Sequence, residues 1–145
     1  MATTLQRSGV LFDTWKGFPH FSKVDAYDER RKNKLKYRVK TGKKTKHDCV
    51  ALLEKIGVMD ICTMIQGDIC KTVPDFAKSF NDSICLLHVD TDLYEPASVA
   101  TEYFADHVVP GGIMFFHDYG YKRWPGIAKV VTRLMKKMMN ILYGI

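Results

Sequence analysis

The sequence predicts an α/β domain built on a mostly parallel sheet of about four to five strands flanked by helices. Three observations carry this. Short, continuous apolar runs recur along the chain, as strands buried on both faces do. Stretches with helical periodicity separate them. The order strand, helix repeats four times, the pattern of parallel strands joined by helical crossovers. With 145 residues, 46% of them hydrophobic, residues 1–145 have enough apolar surface for one compact domain.

The elements follow in order. Val10-Leu11-Phe12 reads as the first strand. Asp48 to Ile56 reads as a helix, with Asp48 as N-cap and Gly57 as its stop. Met59 to Ile65 is the second strand and Lys71 to Phe80 the second helix. Ile84 to Val89 is a third strand, apolar apart from His88, which reads as a hydrogen-bonded core histidine. Pro96 suits the first turn of a helix running to about His107. Pro110-Gly111-Gly112 reads as a turn, and Ile113 to Phe116 as the fourth strand. Pro125 opens the last helix, with Ile127, Val130, Val131, Leu134, Met138 and Ile141 along one face at helical spacing.

Charge is unevenly placed. The net charge is +6, yet residues 30–46 hold ten Lys/Arg and no acid. The rest carries twelve basic against 16 acidic side chains, a net of −4. Residues 17–46 form the one long irregular piece, a basic, lid-like insertion of functional, partly helical or mobile character. The charge of 30–46 opens two roles, recognition of an anionic substrate or of nucleic acid; with Tyr27 just before it and Tyr37 within it as the only aromatics there, base stacking has little support. No apolar run approaches the roughly 20 residues of a membrane helix. The N-terminus lacks the pattern of a signal peptide, so a cytoplasmic location is expected. Cys49, Cys62, Cys70 and Cys85 form no C-x-x-C pair and read as reduced thiols, with Cys62 and Cys85 buried in strands.

Each strand runs into an acid: Asp13, Asp68, Asp90-Thr91-Asp92 and His117-Asp118. In an open parallel sheet these carboxyl ends share the edge where ligands bind. Asp90 and Asp92, two residues apart, fall on one side of an extended chain. With His117 and Asp118 on the neighbouring strand, all four can converge. Converging carboxylates repel unless a cation or protons neutralise them, so a divalent metal is expected. Oxygen ligands suit magnesium, calcium or manganese, and one imidazole shifts the choice toward manganese, iron or zinc.

These segments resemble a known family. Leu87-His88-Val89-Asp90-Thr91-Asp92-Leu93-Tyr94-Glu95 is similar to the L-H-I-D-x-D-L-Y-E signature of the macrocin O-methyltransferase family, which methylates sugar hydroxyls of macrolide and aminocoumarin antibiotics. Leu11 to Pro19 resembles its F-D-T-F-E-G-x-P. Pro110-Gly111-Gly112 with His117-Asp118-Tyr119 resembles P-G-G…D-D-Y, and Trp124-Pro125-Gly126 matches W-P-G. The resemblance implies an incomplete class I methyltransferase (Rossmann-like) fold, cut short at both ends. It implies S-adenosylmethionine and a magnesium ion as cofactors. By resemblance Asp13 accepts hydrogen bonds from the cofactor ribose and Asp68 faces its adenine. Asp90, His117 and Asp118 hold the metal, and Asp92 is the general base. The substrate implied is a hydroxyl of a sugar or glycoconjugate.

The chain departs from the family in three ways. His117 stands where the family has Asp, which removes one negative charge, lowers magnesium affinity and opens the site to manganese. Lys16 replaces a usual acid. No G-x-G loop of the kind that lets a backbone approach a cofactor occurs. A second reading is therefore an inactive methyltransferase relic acting as a binding or assembly module, its sheet completed by a homo-oligomer or a second chain. A third is a nucleic-acid-binding protein using residues 30–46.

Overall fold

The computed structural model describes residues 7–25, 33 and 45–144. The basic stretch 30–46, and with it most of the lid-like insertion, lies outside the described residues apart from positions 33, 45 and 46. Among the described residues, strands and helices alternate as β1 (Gly9–Asp13), α1 (Lys46–Lys55), β2 (Cys62–Gln66), α2 (Ile69–Ala77), β3 (Ile84–Val89), α3 (Tyr94–Phe104), β4 (Val108–Phe116) and α4 (Pro125–Tyr143). The predicted α/β order is the observed one.

The strands form two parallel ladders. β1 pairs with β2, and β3 with β4. No backbone pairing joins β1 to β3 among the described residues. Arg7, just before β1, reaches across the gap to Cys85 at the start of β3, with Nη1 donating to Sγ at 3.3 Å. At the other end, Asp13 and Asp90 line one cavity. Starts meet starts and ends meet ends, so β1 and β3 run in the same direction.

One face of the β3–β4 ladder is covered. Val89, Leu93, Ala97, Trp124, Ile127 and Val130 make the core, with Leu87 and Phe116 packed against it. Full burial of such a side chain contributes about 1.5–3 kcal/mol. Aromatic rings extend the packing to the first ladder: Phe104 of α3 lies 5.9 Å from Phe12 of β1, 6.2 Å from Phe76 and 5.5 Å from Phe80. Strand alternation sends Leu86 and His88 to the opposite face. Their register partners are Ile113 and Phe115, and Leu86, Ile113 and Phe115 are 57%, 61% and 51% exposed.

Several local expectations are corrected. His88 is not a core histidine; it is exposed on the open face, its ring 5.0 Å from Phe115. Cys85, at the start of β3, is also exposed, and Cys62 is half-buried. Asp48 is not the α1 N-cap. Thr45 caps the helix, and Asp48 closes a reciprocal capping box by accepting from the Thr45 N–H at 2.7 Å. Helix α2 starts earlier than read, with Asp68 as its N-cap. Pro96 sits at the third position of α3, still inside the first turn where proline costs no hydrogen bond. The Pro110-Gly111-Gly112 turn belongs to β4, as the irregularity that shifts its register between Ile84 and Leu86. Gly112 is required there, since a Cβ would lie 2.9 Å from the Val109 carbonyl oxygen. The apolar stripe of α4 is buried at Ile127, Val130 and Leu134 but exposed at Met138 and Ile141. No helix among the described residues is long and apolar enough to cross a membrane.

Candidate functional site

The carboxyl ends of the strands frame a cavity of about 400 Å³. Its apolar walls include Phe12, Leu52, Ile69 and Leu93, and its acids are Asp13, Asp48, Asp68, Asp90 and Asp92. A largely apolar cleft with a few convergent polar groups is the usual form of a small-molecule site. Asp13, at the end of β1, accepts the Trp15 backbone N–H at 2.7 Å. Asp68 accepts the Cys70 N–H at 3.0 Å as the α2 cap. Both acids therefore shape local backbone while also facing the cavity.

His20 joins the loop after β1 to the helices below it. Its Nε2 lies 2.8 Å from Glu95 and its Nδ1 3.6 Å from Asp68. Burial, then the charges of Asp68 and Glu95, push the neighbouring Cys70 thiol up to about 11. That thiol stays protonated at neutral pH and is no nucleophile.

The second cluster lies at the rim. One ligand atom each from Asp90, His117 and Asp118 fall within 4.8 Å of one another. His117 Nδ1 is 3.1 Å from Asp90 and 2.8 Å from Asp118. Asp90 is shared between this trio and the cavity. The hydrogen bond to Asp118, then the charges of Asp90 and Asp118, raise the His117 pKa. Protonated, His117 offsets one of the two carboxylate charges; a divalent cation held by the same atoms competes with that proton. Two carboxylates and an imidazole are a chemically reasonable donor set for such a cation.

Asp92 completes the group. Burial comes first, then a hydrogen bond with Asp118 and the charges of Asp118 and Asp90, and together they raise its pKa to about 7. A carboxyl poised near neutrality is suited to exchanging a proton. Asp92 and Asp118 also share a backbone feature. They have φ of 59° and 61°, and with Trp15 at 47° they are the non-glycine residues of positive φ among those described. All three follow strands at the same edge. Such conformations cost about 1–3 kcal/mol each and gather at functional sites.

The structure thus places Asp90, His117, Asp118 and Asp92 together, with Asp13 and Asp68 lining the adjoining cavity. Sequence reasoning passed over Trp15, His20, Asp25 and Glu95. Trp15 and Glu95 stood inside recognised motifs, but no signal marked His20 or Asp25, whose contacts with Glu95, Asp68 and Tyr94 join residues far apart in sequence.

A model of a methyltransferase domain matches residues 1–119. Among solved structures, the calicheamicin methyltransferase CalS11 is similar, with 26% identity, a TM-score of 0.60 and coverage of 88% of this chain and 52% of its own. The O-methyltransferase NovP shares the fold at 22% identity and a TM-score of 0.74, over 91% of this chain and 52% of its own. The apo form of CalS11, a TDP-rhamnose 3'-O-methyltransferase, also shares the fold at 24% identity and a TM-score of 0.55, over 88% of this chain and 50% of its own. The chain spans about half the length of these structures, and no curated protein matches it. With strand-end acids, parallel ladders and the family match agreeing, the chain belongs to the methyltransferase-domain family.

Proposed function

We propose that this chain carries the metal-binding and substrate-binding part of an S-adenosylmethionine-dependent O-methyltransferase acting on a hydroxyl of a sugar or glycoconjugate. The observation that supports it most is the contact of Asp92 with the Asp90/His117/Asp118 trio, a near-neutral carboxyl beside a cation-type donor set. Asp13 and Asp68 supply acceptors for ribose and adenine donors at the cavity wall, which suits a nucleoside cofactor.

Asp90, His117 and Asp118 would hold the divalent ion, magnesium by resemblance and manganese through His117. Bound there, such an ion supplies Lewis acidity that makes a sugar hydroxyl more acidic. Asp92 is the proton acceptor. Burial disfavours its charged form, so it takes a proton from a hydroxyl more readily than an exposed carboxylate would. The cavity walls align the reacting groups.

The test is calorimetry with Mg²⁺ and Mn²⁺, followed by methyl-transfer assays on a nucleotide-sugar panel that includes TDP-rhamnose, the sugar named for CalS11. Asp90→Asn and Asp118→Asn should each lose metal binding. Unchanged affinity in both variants would remove the metal site from this reading.

Among the described residues no strand pairs with the inner edges of β1 and β3, and this, with exposed Leu86, Ile113 and Phe115, favours a second reading. Here the chain is an assembly module whose sheet is completed by a strand from another polypeptide. Rapid hydrogen exchange of the β1 and β3 edge amides in the isolated chain, slowed in any complex it forms, is the expected result. Equal exchange in both would discard it.

A further inference from the structure

The residues from His117 to Trp124 form a short loop that is fixed at both ends. At its start the His117 N–H donates to the Val89 carbonyl at 3.0 Å, and His117 and Asp118 belong to the rim trio. At its end Trp124 is buried, its ring 5.8 Å from that of Phe18. Two turns join these anchors. The Tyr121 N–H donates to the Asp118 carbonyl at 3.0 Å, and the Trp124 N–H to the Tyr121 carbonyl at 2.9 Å. Between the anchors the loop displays its large side chains. Tyr119 and Tyr121 are 59% and 48% exposed, and Lys122 and Arg123 are exposed as well. The Arg123 guanidinium carbon lies 5.5 Å from the Tyr121 ring centroid. Lys78 and Lys137 pair with the nearby carboxylates of Asp75 and Asp106. Among the described residues, neither Lys122 nor Arg123 pairs with Asp90 or Asp118, although both follow the rim acids closely. None of the four displayed residues lines the cavity. Gly120 to Arg123 also fall between the two motifs that end at Tyr119 and begin at Trp124, so their character is this chain's own.

We infer that Lys122 and Arg123 select a methyl-accepting sugar that bears a phosphoryl group, and that Tyr121 is the positioning residue for Arg123. The reasoning is chemical. A guanidinium binds phosphoryl oxygens through paired N–H donors, and an ammonium beside it adds a point charge. The face of the Tyr121 ring attracts the guanidinium and restricts it before any ligand arrives, so less freedom is lost on binding. The exposed rings of Tyr119 and Tyr121 offer the sugar itself an apolar flank. A rim of carboxylates alone would repel an anion; two cations on the adjoining loop reverse that locally and favour a charged sugar over a neutral one. This assignment rests on the reading of Asp90, His117 and Asp118 as the metal site for the sugar hydroxyl, and it adds the chemical class of that sugar.

Calorimetry in chelator separates this anion site from the metal site. UDP-glucose and glucose 1-phosphate should bind wild type at least about tenfold more tightly than methyl glucoside, the range that charge-assisted hydrogen bonds support. Equal affinity for the two phosphorylated sugars would identify a sugar phosphate, and tighter UDP-glucose a nucleoside diphosphate sugar; both support the inference. Lys122→Gln with Arg123→Gln should abolish the preference for the phosphorylated sugars. Tyr121→Ala should weaken it and Tyr121→Phe should retain it, because the ring face and not the hydroxyl holds Arg123. Magnesium affinity, titrated separately without chelator, should stay within about threefold in all these variants, since exposed charges outside the donor set contribute little. Circular dichroism melts check that each variant folds. Wild type that binds the neutral and phosphorylated sugars alike, or binds none of them, would overturn the inference. So would a preference that survives in the Lys122→Gln, Arg123→Gln double variant. Wild type that binds no magnesium would overturn the metal reading of the rim, and with it the role of the loop in selecting a methyl acceptor.

Discussion

The Asp25 carboxylate accepts the Tyr94 backbone N–H at 3.0 Å, across 69 residues of sequence. Asp25 is fully buried. Its other oxygen accepts from Ser22 Oγ at 2.6 Å. Helix α3 begins at Tyr94, and its N-cap residue Leu93 has no side chain able to cap it. Asp25 supplies the missing acceptor at the positive end of the helix dipole. The contact also places α3 directly after Asp90 and Asp92, so it fixes where the site acids stand.

Removing this acceptor should cost stability. Asp25→Ala leaves a helix-end N–H without its partner, and a loss of about 1–3 kcal/mol is expected from urea unfolding. Gly126→Ala should cost a similar amount. A Cβ there would lie 2.6 Å from Asp25 Oδ1 and 2.7 Å from Tyr94 Cβ, and overpacking of that kind costs about 1–3 kcal/mol. Midpoints equal to wild type for both variants would contradict the capping role.

Phe104 is the ring through which the two ladders meet. It is 5% exposed and packs against Phe12, Phe76 and Phe80. Phe104→Ala should destabilise by about 3–5 kcal/mol, as large-to-small changes of buried phenylalanine do. Hydrogen exchange should show β1 and β2 loosened more than α4. Uniform loosening would mean that the ladders are joined elsewhere.

His117 sets the preference of the rim site. His117→Asp restores a third carboxylate and removes a nitrogen ligand. Magnesium affinity should rise by about tenfold or more, and the ratio of manganese to magnesium affinity should narrow. Calorimetry with each ion on wild type and variant measures both quantities. An unchanged ratio would show that the imidazole is no ligand.

The pH dependence of stability in chelator follows from two groups of the same sign. Asp92 has a folded-state pKa of about 7, against 3.8 for an ordinary aspartate. Between those values the folded chain binds more protons than the unfolded one, so stability falls as pH rises through that window. The His117 pKa is raised from the 6.5 of an ordinary histidine. Its contribution is full below that value and is lost as pH rises through the folded pKa. Urea unfolding should therefore show lower stability at about pH 8 than at about pH 5, with a shallower slope in Asp92→Asn. Metal affinity should run the other way and increase with pH, because binding displaces protons. A wild-type stability that climbs over this range would refute the assigned protonation.

Much of the framework was legible in the sequence because it depends on near neighbours. Apolar runs at Ile84 to Val89 and Ile113 to Phe116 define strands by local pattern. The acids that follow them fall at one edge because parallel strands end together. Boundaries were less legible: Thr45 rather than Asp48 caps α1, because capping depends on the hydrogen bond made, and both residue types are able to make it. The burial of His88 and Cys85 was misjudged because period-2 alternation assigns a face, while only the packed neighbours decide whether that face is covered. By itself, then, the sequence determined the α/β order and the set of acids from Asp13 to Asp118. Tertiary structure alone decided that His117 Nδ1 stands between Asp90 and Asp118, that Asp92 is buried enough to hold its proton near neutrality, and that Asp25 caps a helix 69 residues away. Those properties depend on distance and desolvation, which only the packed chain creates.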